Sequence, residues 1–211
     1  MKLLIETLDN DSLQVLTEGE GSEKTFRIKG IFAQSEVKNR NGRKYPKPIL
    51  EREINKYNLE KVKTKRSLGE LEHPAGPNIN LDRCSHLIES LEFKGNDVYG
   101  VAKILDTPCG RTVKSFLKEG IVLGVSTRSL GTVTNEMVNQ DLSVRAVDIV
   151  SDPSAPNALV DSIYENKEWI INGNDIVEVA VSNLQKKLDK KGSKEAVKYL
   201  KEFINDIGKG K

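Results

Sequence analysis

Cysteine is scarce. The 211 residues hold only Cys84 and Cys109, with no C-x-x-C pair. A disulfide scaffold and a four-cysteine zinc site are both excluded, and two reduced thiols in a cytoplasmic protein are the simplest reading. Long apolar runs are missing too. None approaches the roughly 18 residues that a membrane helix needs. The segment Met1-Lys2-Leu3-Leu4-Ile5-Glu6 loses its apolar character after three residues, unlike a secretory signal. Neither sign of charge prevails: 33 Lys and Arg face 31 Asp and Glu, a net of +2, which argues against an overall basic nucleic-acid binder. Repeats and low-complexity stretches are absent. What remains is a soluble chain, 37% apolar and 30% charged, long enough for one core-bearing domain or one domain plus a tail.

The small net charge hides an uneven distribution. Residues 184–211 carry nine Lys and four acids, a net of +5, which leaves −3 for residues 1–183. Val177, Val181, Leu184 and Leu188 have helical spacing. Gly192-Ser193 interrupts it, and Val197, Leu200, Phe203, Ile204 and Ile207 resume it. The pattern predicts two short amphipathic helices on a tether, either packed on the domain or serving as a docking or propeptide segment.

Upstream the signals are mostly those of strands. Thr25–Lys29 alternates, with Phe26 and Ile28 on one face, and continues through Gly30-Ile31-Phe32. Asn39-Arg40-Asn41-Gly42 marks a turn. Pro48 suits the first turn of a helix through Ile49, Leu50, Ile54 and Tyr57. His86–Phe93 and Val98–Leu105 flank Lys94-Gly95-Asn96-Asp97 as a hairpin. Thr112–Glu119 is a short helix stopped by Gly120. Ile121–Ser129 and Leu142–Val150 are two further strands, and Ser151–Asn157 is a loop. The sum is an α+β domain, a mainly antiparallel sheet or barrel with a few helices, followed by a helical tail.

Three segments place polar residues in unusual settings. His73 precedes Pro74, which biases its backbone toward extended geometry. It is one of two histidines in the chain. Gly124 and Gly131 bracket Ser126-Thr127-Arg128-Ser129 after an apolar run. Glycine permits close approach of a substrate, although a strand with alternate side chains in water has the same local pattern. In Val144–Val150, alternation sets Asp148 on a face with Val144, Ala146 and Val150. A carboxylate there needs a partner, either an arginine or an imidazole that it would orient. His73, Ser126 and Asp148 thus form a His…Ser…Asp order. No G-x-S-x-G is present, which disfavours an α/β-hydrolase. Cys84-Ser85-His86 alone is too little for zinc, so no metal is expected.

Seven pieces recur in register: Leu3–Thr7, Gly30–Val37, Asn39–Pro46, Leu68–Pro74, Lys94–Gly100, Gly124–Gly131 and Asp152–Ala158. On these the chain resembles the prohead (procapsid) core proteases of large tailed bacteriophages. That resemblance implies a fold like the herpesvirus assembly proteases. It implies a serine endopeptidase acting inside the immature capsid, made in the bacterial cytoplasm. It implies cleavage of scaffold and capsid proteins after Glu, with an aliphatic residue two positions earlier, and self-processing. The family nucleophile falls on Ser126 and the general base on His73. Herpesvirus enzymes use a second His as third member, but no His follows Ser126 here. Asp148 is the acid best placed for that role, with Glu70, Glu72 and Asp152 as fallbacks.

The chemistry implied is acyl transfer without metal or cofactor. Backbone amides of 126–131, with Thr127, Arg128 and Gly131 as candidates, would meet the oxyanion or substrate. Ile163-Tyr164-Glu165, Ile176-Val177-Glu178 and Leu4-Ile5-Glu6 fit the cleavage rule, so Glu165, Glu178 and Glu6 are the self-cleavage candidates. Residues 1–24 are expected as an N-terminal extension, 25–162 as the protease domain and 163–211 as a basic tail, a possible propeptide. The expected partners are scaffold proteins, the major capsid protein and further copies of the chain, with no membrane and no specific nucleic acid. The alternative function is a catalytically silent assembly protein of the same fold.

Overall fold

The computed structural model describes residues 1–7, 14–18, 25–39, 41–74 and 76–151, together with the backbone of 168–172 and 175–179. Two sheets carry the domain. The larger has five strands: β2 (Gln14–Glu18), β3 (Thr25–Gln34), β6 (Asp97–Ile104), β5 (Cys84–Lys94) and β4 (Leu68–Glu70), in that spatial order. All its pairings are antiparallel. The smaller has β7 (Gly124–Gly131) between β1 (Lys2–Thr7) and β10 (Ser143–Val150). A short ladder, β8 (Val133–Thr134) with β9 (Met137–Val138), lies between β7 and β10 in the chain. An antiparallel sheet with a few helices is the class that the sequence implies.

Local chemistry explains most of the elements. β5 and β6 close on Gly95-Asn96, where Gly95 has φ +66°, a backbone that favours glycine in two-residue hairpin loops. Helix α1 (Lys47–Tyr57) begins with Pro48 in its first turn and buries Leu50, Glu53, Ile54 and Tyr57. That spacing is one helical face. Helix α2 (Pro108–Lys118) starts four residues before the expected Thr112. The Thr107 hydroxyl accepts from the Gly110 amide at 3.0 Å, and Pro108 sits at the first turn.

Two stretches of the expected N-terminal extension, β1 and β2, are strands of the two sheets. Leu3, Leu4 and Ile5 of β1 are buried, and β2 forms one edge of the larger sheet. Apolar side chains this short of partners leave water when a strand adds to a sheet. The tail also departs from its pattern. β11 (Glu168–Asn172) and β12 (Asp175–Val179) form an antiparallel hairpin, so Val177 lies on a strand rather than on a helix. At Val177 the helical spacing does not outweigh a β-rich run such as Trp169-Ile170-Ile171 paired with Ile176-Val177. The expected helices of 181–207 lie outside the described residues. The chain divides into a unit of Leu3–Asn157 and a unit containing Ala158–Lys211.

The two sheets meet at one seam. Leu71, just past β4, bridges Ile149 of β10 in parallel, and the Glu72 amide donates to the Ile149 carbonyl at 2.8 Å. On the other side the Thr127 hydroxyl donates to the Phe32 carbonyl of β3 at 3.0 Å. The enclosed core includes Phe32, Ile54, Ile88, Ile104, Val113, Val125 and Ile149. This seam is what brings the end of β4 beside β10.

Candidate active site

β7 is buried along all eight residues. Its position between β1 and β10 covers both edges, and the larger sheet and the loops cover its faces. The alternative in which its polar residues face water therefore fails. In the antiparallel ladder Ser126 stands directly opposite Asp148. Opposed residues share a face, with Cβ atoms about 5 Å apart. Arg128, two residues further along β7, projects on that same face.

Asp148 is fully buried and has partners on every side. Its Oδ1 accepts from the Glu70 amide at 3.1 Å and from Arg128 Nη2 at 3.1 Å. Its Oδ2 lies 3.0 Å from Arg128 Nε and 3.4 Å from His73 Nδ1. The carboxylate thus has both partners that sequence reasoning left open, the arginine and the imidazole.

His73 reaches this point because of the seam. Glu72 takes a left-handed φ of +63°, turning the chain out of the β4 line. A non-glycine residue holds that backbone at a cost of about 1 kcal/mol or more. Two bonds compensate: its amide to Ile149, and its Oε1 accepting from the Ser151 amide at 2.8 Å. With Nδ1 toward Asp148, the other ring nitrogen, Nε2, is buried and makes no hydrogen bond. The Ser126–His73 hydrogen bond is therefore unformed here. Catalytic contacts often tighten only with substrate bound.

Two of the fallback acids, Glu70 and Glu72, are engaged elsewhere than at His73. Glu70 Oε1 accepts from Arg128 Nη2 and from the Asn80 amide, both at 3.0 Å. Glu72 is engaged with Ser151. Asp152 lies outside the described residues.

The side chains of the three oxyanion candidates are engaged elsewhere or lie apart from Ser126. The Arg128 guanidinium is fully buried and committed. It serves Asp148 and Glu70, and its Nη1 donates to the carbonyls of Gly76 (2.7 Å) and Asn78 (3.2 Å). The Thr127 hydroxyl is spent on Phe32, and its amide belongs to a central strand paired on both edges. Gly131 sits five residues from Ser126, roughly 16 Å along the strand, where a Cβ would meet Leu4 and Leu142.

His86 is structural. It is fully buried, with Nε2 donating to the Val147 carbonyl at 2.9 Å and Nδ1 accepting from the Ser85 hydroxyl at 2.8 Å. Burial pushes its pKa down to about 4. The unfolded chain binds this proton near 6.5 and the folded chain does not, so stability is full above pH 6.5 and falls as pH drops toward 4. About 3 kcal/mol is expected to be lost across that window. Urea melts of the Ser126→Ala protein at pH 7 and pH 4.5 measure it, and His86→Gln should flatten the slope. Gly69 depends on the same ring. A Cβ there would run into the His86 imidazole and the Val147 carbonyl. Gly69→Ala is expected to cost about 3 kcal/mol in denaturant unfolding.

The turn at Asn39–Pro46 is a brace. Gly42 has φ +74°, the Asn39 side chain accepts from the Arg43 amide at 2.9 Å, and Asn41 donates to the Ile5 carbonyl of β1 at 2.9 Å. Arg40 lies outside the described residues. Among the described residues no three or more His, Cys, Asp or Glu are grouped to hold a metal ion, and no helix is long and apolar enough to cross a membrane.

A buried carboxylate on an imidazole, with a serine across the ladder, is the material of nucleophilic hydrolases. Comparison with known proteins gives the family. The prohead core protein serine proteases match residues 10–168. The prohead core protein protease of Enterobacteria phage T4 is 39% identical over 176 residues, covering 75% of this chain and 83% of that one. The solved structure of the bacteriophage T4 capsid assembly protease aligns with a TM-score of 0.65 at 38% identity, covering 71% of this chain and 97% of that one. The chain belongs to the prohead core protein serine protease family. It is a peptidase of phage capsid assembly.

Proposed function

We propose that Ser126 is the nucleophile, His73 the general base and Asp148 the group that orients it, in an endopeptidase that cuts scaffold and capsid proteins, and itself, after Glu. One observation carries the assignment: Asp148 is both the cross-strand partner of Ser126 and the carboxylate facing His73 Nδ1. His73 Nε2 takes the Ser126 proton as Oγ attacks the scissile carbonyl. The imidazolium then protonates the leaving amine. Water, deprotonated by the same nitrogen, releases the acyl group and restores the serine. Asp148 keeps the Nδ1 proton facing inward, which leaves Nε2 free to accept. The reaction takes place inside the procapsid, on scaffold and capsid substrates.

Self-cleavage after Glu165 or Glu178 would free the basic tail. Both lie outside the Leu3–Asn157 unit. Glu165 is outside the described residues, and Glu178 pairs with Trp169 in the hairpin, which must open first. Glu6 is less suited, since β1 would have to leave the three-stranded sheet before a protease could extend it. The test is mass spectrometry of the full chain beside Ser126→Ala, each incubated with peptides carrying Ile-x-Glu or Ile-x-Gln before the scissile bond. The reading requires trimming and Glu-specific cleavage by the unaltered chain alone. Equal cleavage by both proteins would remove Ser126 from the mechanism. Two inert proteins at high concentration would favour the silent assembly protein.

A further inference from the structure

We propose that Glu70 is a positioning residue of this site: it shares Arg128 with Asp148, so that the arginine does not cancel the carboxylate charge facing His73. The inference rests on the serine-protease reading above and deepens it. Arg128 Nη2 lies 3.0 Å from Glu70 Oε1 and 3.1 Å from Asp148 Oδ1, and all three side chains are fully buried. Two carboxylates thus divide one guanidinium. The cluster carries one formal negative charge in excess. An unbalanced buried charge is unfavourable, and His73 is the group touching Asp148 that can become positive during the reaction. The cluster therefore favours the imidazolium formed when Ser126 gives up its proton. Without Glu70 the Asp148–Arg128 pair would be neutral and that preference would vanish.

The surroundings leave this balance intact. Arg83 is the next cation, with Nε 3.6 Å from Glu70 Oε2, but its side chain is 43% exposed, so solvent weakens its charge without removing it. The Cys84 thiol of β5 is pushed up to about 11 and the Tyr57 phenol of α1 is pushed up by burial, so both stay neutral near pH 7. His86 is neutral there as well. Glu72 is turned to Ser151 and Asp82 is exposed, while Arg145 of β10, partly buried, has its charge disfavoured by burial and by repulsion from Arg128. Glu70 and Arg128 also hold the segment after His73, through the Asn80 amide and the Gly76 and Asn78 carbonyls. Geometry and charge at His73 thus depend on the same pair.

The test is an imidazole NMR titration in the full chain carrying Ser126→Ala, which prevents self-digestion. Two histidines give two signals, and burial, which pushes the His86 pKa down to about 4, should set its signal apart. Glu70→Gln is expected to lower the His73 midpoint by about one pH unit, and Glu70→Asp to restore most of it. In the active protein the acid limb of kcat/KM should move down with the midpoint. An unchanged midpoint in folded Glu70→Gln overturns the proposal. Should that variant not fold, Arg83→Gln decides. Removing a half-exposed cation should raise the midpoint by about 0.3 of a pH unit, and no rise overturns the proposal. The titration does not depend on turnover. Failure of the serine-protease reading would instead appear as full activity in Ser126→Ala.

Discussion

Ser126→Ala is expected to lower kcat by a factor of about 10⁴ to 10⁶ while leaving the fold in place. The size follows from the role. Without Oγ no acyl-enzyme forms, and what remains is whatever binding and electrostatics supply. The stability cost is bounded separately. Ser126 is fully buried on a central strand, so the change removes one hydroxyl and opens almost no space. A lost hydrogen bond of this kind costs about 1 kcal/mol. Thermal melting beside peptide turnover therefore separates the two effects. A variant that melts within a few degrees of the parent yet has lost turnover supports the nucleophile. One that keeps more than a small fraction of its activity sinks the assignment.

Much of the fold was legible because local pattern and chemistry agree there. The run Pro48, Leu50, Ile54, Tyr57 fixes a helix and its inward face, and Lys94–Asp97 fixes a hairpin. Asp148 was legible because a carboxylate among small apolar neighbours must find a partner. What stayed hidden depends on what lies across space. Sequence alone does not say that β7 is covered on both faces, and so Arg128 looked available to an oxyanion when it is enclosed by two carboxylates and two carbonyls. Glu70 was visible only as a spare acid, since its pairing with Arg128 spans 58 residues. β1 looked like an extension because three apolar residues do not announce which sheet they will join. Val177 fitted a helical spacing, yet the cross-strand pairing of Ile170 with Val177 decided its structure. Each of these placements is set by a tertiary contact that the local pattern does not carry.

The Arg128 bridge also shapes what Asp148→Asn should do. Loss of about 10⁴ in kcat is expected, for a reason of tautomers. An amide in place of the carboxylate can present Nδ2 to His73, which forces Nδ1 to accept and puts the ring proton on Nε2. The base is then blocked at the atom that must take the Ser126 proton. Removing one partner of a buried pair usually costs about 3–5 kcal/mol because a charge is left alone. Here Arg128 would keep Glu70 and the carbonyls of Gly76 and Asn78. The guanidinium would pass from two carboxylates to one, which balances its charge rather than stranding it. Asp148→Asn should therefore fold with a loss well below that range, and its defect should lie in kcat far more than in KM. Asp148→Asn combined with Glu70→Gln would strand Arg128 without any carboxylate, and the full penalty should then appear in the melting temperature. If Asp148→Asn alone unfolds the chain as severely as the double variant, the two carboxylates do not share the arginine in the way that the distances imply.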